Sequence, residues 1–415
     1  MTLDPIHVDN IARLAGAIAE EVDDADHDDL ASTVWEEWLD PLRRGGHVVC
    51  EPVDGHELRE APIDDAALAD RPFEPVHGLD SGTINPTTFK NGLVLDVAQA
   101  AMASTPTNLD LHRSRSLVAT VHTADTTVDH DLEWVTYDGG YSRRRVLHVP
   151  RVNRYAEGVV HALALYLAES DHALTHANTV TDLLVLDGPV YPKELLTWED
   201  RDPELGALAR EAKPRAIVEN YVRLVEEFVD RDVPLAGFVK NPSSRGIVRT
   251  LSGKGVEAPW ADDAGLFTRL LERRSDGDRD RDALTFTTWL RSRGGADEAF
   301  AADGDALGIE RRLPAEAYEV TFFVLYDPRH DVLYKVEAPA AFTRDSDLRA
   351  ALTEQIVGDV AAAGGPPPAV AKADELARIG TGEKAALRRK FEEQFDSEQL
   401  RTYDDVRWGT DAERF

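Results

Sequence analysis

Apolar residues recur along the chain with different periods, and each period predicts a different element. Ile11, Leu14, Ile18 and Val22 fall at helical spacing within 8–22, and a shorter helical stretch over 34–42 carries Trp35 and Trp38, so both are expected to be packing helices. Residues 51–75, rich in Pro, Asp and Ala, read as a connector. The first strong strand signal is Phe-Glu-Pro-Val-His-Gly-Leu-Asp over 73–80, expected to end at Asp80 before the turn-prone Ser81-Gly82. Segments 92–102, 115–124, 132–137 and 145–148 follow as further strands of a meander.

Beyond the meander the period changes to 3.6. A helix is predicted over 155–168, with Val159, Leu163 and Tyr166 on one face, followed by a Ser/His/Thr/Asn loop over 170–181. The uninterrupted run Leu183-Leu-Val-Leu186 before Asp187 predicts a strand buried on both faces. A second amphipathic helix over 216–230 and a short buried strand over 233–239 complete the alternation. This order implies an α/β fold with a mixed sheet. The Asp/Gly/Arg-dense segment 274–306 reads as a surface insertion, 318–326 and 331–337 as a hairpin, and 369–378 and 383–395 as helices after Gly364, Gly365 and three prolines. The expected organisation is a helical and connector region (1–72), a catalytic core (73–270), an acidic insertion (271–310) and a C-terminal hairpin with helices (311–415). No repeat of solenoid or propeller length is visible.

Charge narrows the setting. Among 415 residues, 46 Lys+Arg stand against 77 Asp+Glu, a net charge of −31. Lys occurs only at 90, 193, 213, 240, 254, 335, 372, 384 and 390. Few Lys and many Asp are the composition of a protein adapted to molar salt, where the Debye length shrinks to about 3 Å and self-repulsion is screened. A carboxylate on such a surface is solvated by default, so the informative acids are those inside apolar strand patterns. The lone Cys50 excludes an intrachain disulfide and a Cys-type zinc site and is expected to be a buried small hydrophobe. No apolar run reaches the ~20 residues of a membrane span, and 1–10 lacks a secretory pattern, so a cytoplasmic protein without membrane contact is expected. Phosphate-loop, dinucleotide, nucleophile-elbow and HExxH motifs are absent, which argues against a nucleotide-driven motor.

Three acids stand apart. Asp80 and Asp187 each close an apolar strand beside small residues, and Glu157 opens the helix between them. An Asp at a strand end is most often a turn residue. Two such residues with a helix Glu between them make an oxygen-only site suited to Mg²⁺ or Mn²⁺, and two ions roughly 3.5–4 Å apart would serve phosphodiester hydrolysis. Lys240, followed by Ser243, Ser244 and Arg245, is a candidate phosphate contact, with a solvated loop as the bland alternative. Arg143, Arg144, Arg145, Arg151 and Arg154 form the densest basic stretch, suited to a nucleic-acid channel or to surface ion pairs. His172 and His176 lie in the loop and carry little metal signal, and Glu337 reads as a structural strand-end residue.

Taken in order, GLDSGT at Asp80, RYAEGVVHALALYLA at Glu157, LLVLDGPVYP at Asp187, LAGFVKNPSSR at Lys240 and YKVEAPAAF at the hairpin resemble the archaeal NurA nucleases over about 73–395. The resemblance implies an RNase H-like sheet and Mn²⁺-dependent cleavage of DNA from 5′ ends and within single strands. It also implies a homodimer and a partnership with the hexameric HerA ATPase in end resection. Matched by motif, Asp80, Glu157 and Asp187 correspond to the family's acidic metal ligands, with Glu169 a competing candidate for the helix Glu. Near the C-terminus, where the family has a histidine, PPPAVAKADELARIG places Asp374. Metal-dependent DNA nuclease is therefore the leading reading. A catalytically reduced dimeric adaptor for a DNA-translocating ATPase and an RNase H-like ribonuclease are the alternatives.

Overall fold

The computed structural model describes residues 5–19, 24–125, 127, 129–149, 151–152, 156–401 and 403. At its centre Val76–Thr88, Leu183–Asp187 and Leu235–Val239 run parallel. The latter two read as unbroken apolar runs because both of their faces are covered. On one side Val94–Thr105 and Arg115–His122 continue antiparallel, then Ser142–Val149 pairs parallel to 115–122, and Leu132–Tyr137 forms the edge. On the other side strand 235–239 meets Val332–Pro339, which forms the expected hairpin with Val320–Asp327. Among the described residues the product is one mixed sheet of 14 strands flanked by helices.

Three expectations about the sheet are corrected. The meander breaks after strand 115–122, because strand 142–149, with Leu147 and Val149 buried, takes the inner position and leaves the largely exposed 132–137 outside. The supposed insertion 274–306 supplies Ala283–Thr287 and Leu290–Ser292 to the sheet and buries Leu284, Trp289, Leu290 and Phe300. The supposed connector 51–75 contains Leu58–Pro62, which pairs with 283–287, and the helix Ile63–Leu68.

One face of the sheet is sealed by helix Ala156–Thr175 through Val159, Val160, Leu163 and Leu167, backed by helix Ala212–Asp230. The opposite face carries helix Pro368–Ala377 over strands 76–88 and 94–105. A second core joins Trp35, Leu39, Leu42 and Cys50 to Phe267, Leu290 and Phe322, and burial pushes the Cys50 thiol up to about 12, in keeping with a small hydrophobe. The N-terminal helix Pro5–Ala19 does not pack as expected: Val8, Ile11, Leu14 and Ile18 are exposed, while Val22 lies outside the described residues. Among the described residues no helix is long and apolar enough to cross a membrane.

Candidate active site

Asp80 does not end its strand; it sits within 76–88, on the same face as Gly78 and Gly82 because side chains alternate. A Cβ at Gly78 would lie 2.2 Å from the Ala369 carbonyl oxygen, and one at Gly82 would lie 2.2 Å from that of Ala377. The two glycines therefore let helix 368–377 lie directly on the strand, with Asp80 between them and Asp374 on the helix facing it. Gly82→Ala should push this helix off the strand, costing about 1–3 kcal/mol as an overpacked site. Chemical denaturation measures this, and unchanged stability would contradict the contact.

The register Leu79↔Leu186 brings Asp80 beside Asp187 on the neighbouring strand. Past Asp187 the chain turns at Gly188 (φ 136°), whose carbonyl oxygen would be 2.5 Å from any Cβ at Gly237. Asp80, Asp187 and Asp374 each offer a carboxylate oxygen, and these oxygens lie within 4.8 Å of one another. Lys240 Nζ donates to Asp187 Oδ2 at 2.5 Å, the Ser81 backbone N–H to Asp80 Oδ1 at 2.7 Å, and Arg378 Nη2 to Asp374 Oδ2 at 2.9 Å.

This crowding is costly without a cation. Burial first, then the neighbouring charges of Asp187 and Glu169, push Asp80 up to about 8. Burial also raises Asp187, against the opposing pull of Lys240. Three half-buried carboxylates so close together repel one another, and an oxygen-only donor set of this kind fits a hard divalent cation.

A family model described as the NurA domain matches residues 74–379. The chain belongs to the NurA family. Its fold resembles the crystal structure of the NurA nuclease from Sulfolobus solfataricus, with TM-score 0.51 and 12% identity over 95% of this chain and 98% of that one. A NurA structure bound to dAMP and manganese aligns at TM-score 0.45 and 10% identity over 98% of this chain and 99% of that one. No curated protein sequence matches the chain.

Within the NurA domain the other expected residues are scattered. Glu157 is not at the cluster: its carboxylate accepts from Thr88 Oγ1 at 2.9 Å, eight residues along the strand from Asp80, and lies twelve helical residues, about 18 Å at ~1.5 Å per residue, before Glu169. Helix 156–175 runs opposite to the strand, so residues further along the helix approach Asp80. Glu169 does so, accepting from Ser81 Oγ at 2.7 Å and from Tyr221 Oη at 3.2 Å. Burial pushes Glu169 up to about 7 against those two hydrogen bonds.

The sequence signal for Glu169 is the helical period continuing through Ala173: residues 170–175 of the expected loop over 170–181 are helix, with Ser170, His172 and Ala173 buried, and only 176–181 connect to the next strand. His172 and His176 bond Ser116 and Ser114, at 3.0 and 2.8 Å, and join no metal cluster among the described residues. Arg151 and Arg245 are exposed, Arg245 at the start of helix Gly246–Ser252, and Arg154 lies outside the described residues. Lys240, expected at a phosphate, holds Asp187.

Proposed function

We propose that this chain is a divalent-metal-dependent DNA nuclease. The observation that carries the reading is the cluster of Asp80, Asp187 and Asp374, carboxylates from two neighbouring strands and the helix laid over them that converge within the NurA domain. These residues would hold Mn²⁺ or Mg²⁺, with two ions as the expected number. Bound there, the metal would supply Lewis acidity for water activation and for charge on the leaving oxygen of a phosphodiester. Glu169, rather than Glu157, is the helix acid whose charge bears on Asp80, from across the strand where it accepts from Ser81 and Tyr221. Lys240 is placed to exchange its contact with Asp187 for a phosphate oxygen once a cation neutralises the carboxylates.

On the family relationship we extend the reading to 5′–3′ exonuclease and single-strand endonuclease action in end resection. The same relationship points to a homodimer working beside a HerA-type hexameric ATPase. The test is cleavage of end-labelled single-stranded and blunt duplex DNA in high KCl with Mn²⁺, with Mg²⁺ and with chelator. Metal-dependent nucleotide release is expected. RNA cut in preference to DNA of the same sequence would favour a ribonuclease, and no cleavage under any of these conditions would leave the adaptor reading standing.

A further inference from the structure

The sheet is covered unequally on its two faces. On strand 94–105, Asp96, Ala98 and Ala100 face helix 156–175 and are buried, whereas Val97 and Gln99 on the opposite face are half-buried. Strand 115–122 repeats this: Ser116, Val118 and Thr120 are buried, and Arg115, Leu117 and Ala119 are half-buried. Helix 368–377 covers the second face above strands 76–88, 94–105 and 183–187, with Gln99 Nε2 donating to the Ala377 carbonyl at 3.3 Å, and Phe391 and Phe395 of helix Thr381–Phe395 cluster with Leu95, Val97, Ala119, Val121 and Val146, so the uncovered part is the outer end at Arg144, Val135 and Tyr137.

One rung shows where the uncovered part leads. Gly82 pairs with Gln99, Gln99 with Leu117, Leu117 with Arg144, and Arg144 with Val135. Residues opposite one another in a sheet share a face, so this row continues the face that presents Asp80. At about 4.8 Å per strand, Arg144 lies roughly 14 Å across the sheet from Gly82.

The outer end of the row combines arginine with aromatic rings. Val135 and Tyr137 are exposed at 46% and 45%, and the Arg144 guanidinium lies 4.3 Å from the centre of the Tyr137 ring. Arg113 lies 4.1 Å from the centre of the Tyr141 ring, whose hydroxyl Asp110 holds at 3.0 Å. In a chain of net charge −31, neither Arg113 nor Arg144 has a carboxylate partner among the described residues, whereas Arg143 next door is paired with Asp171. Arginines that forgo acids and sit over aromatic rings offer stacking surface and unspent positive charge together. Single-stranded nucleic acid needs both.

We propose that Leu117, Val135, Tyr137 and Arg144 form a platform for single-stranded DNA at the exposed outer end of this sheet face. Bases stack on the Tyr137–Arg144 pair, and helix 368–377 stands between this platform and Asp80. The proposal rests on the nuclease reading above for its choice of ligand. The probe is a fluorescein-labelled oligo(dT) of about 12 nucleotides, within the ~4–16-nucleotide footprints of single-strand binders, with chelator present and Kd read by anisotropy across a KCl series. Tyr137→Ala and Arg144→Ala should each raise Kd about tenfold. Arg144→Ala should also flatten the slope of log Kd against log salt by ~0.7, one phosphate contact, and Arg144→Lys should restore that slope.

With Mn²⁺, the ratio of oligonucleotide to thymidine p-nitrophenyl phosphate turnover should fall by the same factor, since the ester is too short to reach the platform. Unchanged Kd and slope in both alanine variants would overturn the proposal. So would a fall in solution mass by one subunit with Kd unchanged, which would assign the face to a second copy of the chain. Absence of turnover in the unsubstituted protein would instead strike the nuclease reading, leaving the binding comparison to decide the platform.

Discussion

Asp80→Asn and Asp187→Asn are each expected to reduce metal-dependent cleavage by more than about a hundredfold while leaving the protein folded. Residues that merely orient metal ligands typically cost ~10–100-fold when removed, so loss of a ligand in direct contact should exceed that. Asn keeps the size and one oxygen of the side chain, so little packing changes. The Asp80 variant carries a second, opposite signature. Its carboxyl holds a proton up to about 8 in the folded protein, against an ordinary value of 3.8. A raised carboxyl pKa means the native state binds the proton more tightly than the unfolded chain does. The associated stability is present below the ordinary carboxylate range and is lost as pH climbs from about 4 toward 8. Metal-free Asp80→Asn should therefore melt above the unsubstituted protein at pH 8, with the difference shrinking toward pH 5. Mn²⁺ should raise its midpoint less. Near-normal cleavage by either variant would remove that residue from the site, and a lower metal-free midpoint for Asp80→Asn at pH 8 would mean that the Asp80 carboxylate is not crowded as the geometry requires.

Why the sequence announces some of this architecture and hides the rest is a matter of which forces place each element. Strands 183–187 and 235–239, helix 212–230 and the 320–339 hairpin are legible because burial on one or both faces writes itself into the apolar pattern. Strand 58–62 is hidden because no residue of it is fully buried, and its partner 283–287 lies more than 200 residues away, so pairing rather than patterning makes it a strand. Helix Ser346–Ala363 leaves no clear apolar stripe, since buried Gln355 and Asp359 stand among its apolar residues. Those two bond each other, and Arg71 completes Asp359 at 3.1 Å.

At the centre itself, Asp80 and Asp187 are legible from the small residues beside them, although the reason differs between the two. At Asp187 the glycine turns the chain. At Asp80 Gly78 and Gly82 admit a helix backbone, which a reading of Ser81-Gly82 as a turn misses. Asp374 is legible only through the family resemblance, because nothing within a ten-residue helix says which strand it will lie on. Glu169 is displaced from notice by Glu157, which occupies the matching motif but, twelve positions earlier on a helix antiparallel to the strand, faces Thr88.

Glu337→Ala should be among the most damaging single substitutions in the molecule, although the residue is not in the carboxylate cluster. Glu337 is 1% exposed and accepts from Lys193 Nζ at 2.5 Å, from Lys335 Nζ at 2.8 Å and from the Val190 backbone N–H at 3.4 Å. Burial alone would raise its pKa, but the two lysines outweigh it and hold the carboxyl down to about 2. With the folded pKa below the ordinary 4.5, its stabilising effect is present above that value and lost as pH falls toward 2. Alanine would leave the buried Lys335 and the half-buried Lys193 without this partner, with Asp297, 2.9 Å from Lys193, as the remaining counter-charge. Stranding buried charge in this way costs about 3–5 kcal/mol.

The damage should also reach the chemistry, because Val190 belongs to the turn that follows Asp187, and Glu337 is what its N–H meets. Glu337→Gln retains an acceptor for Val190 but not the charge, so it should lose most of the stability and keep more of the cleavage per folded molecule than alanine does. Denaturant titration with a parallel nuclease assay on the folded fraction separates the two effects. Equal stability of Glu337→Ala and the unsubstituted protein near pH 7 would mean that the lysines find other partners and that the buried charges do not hold this turn.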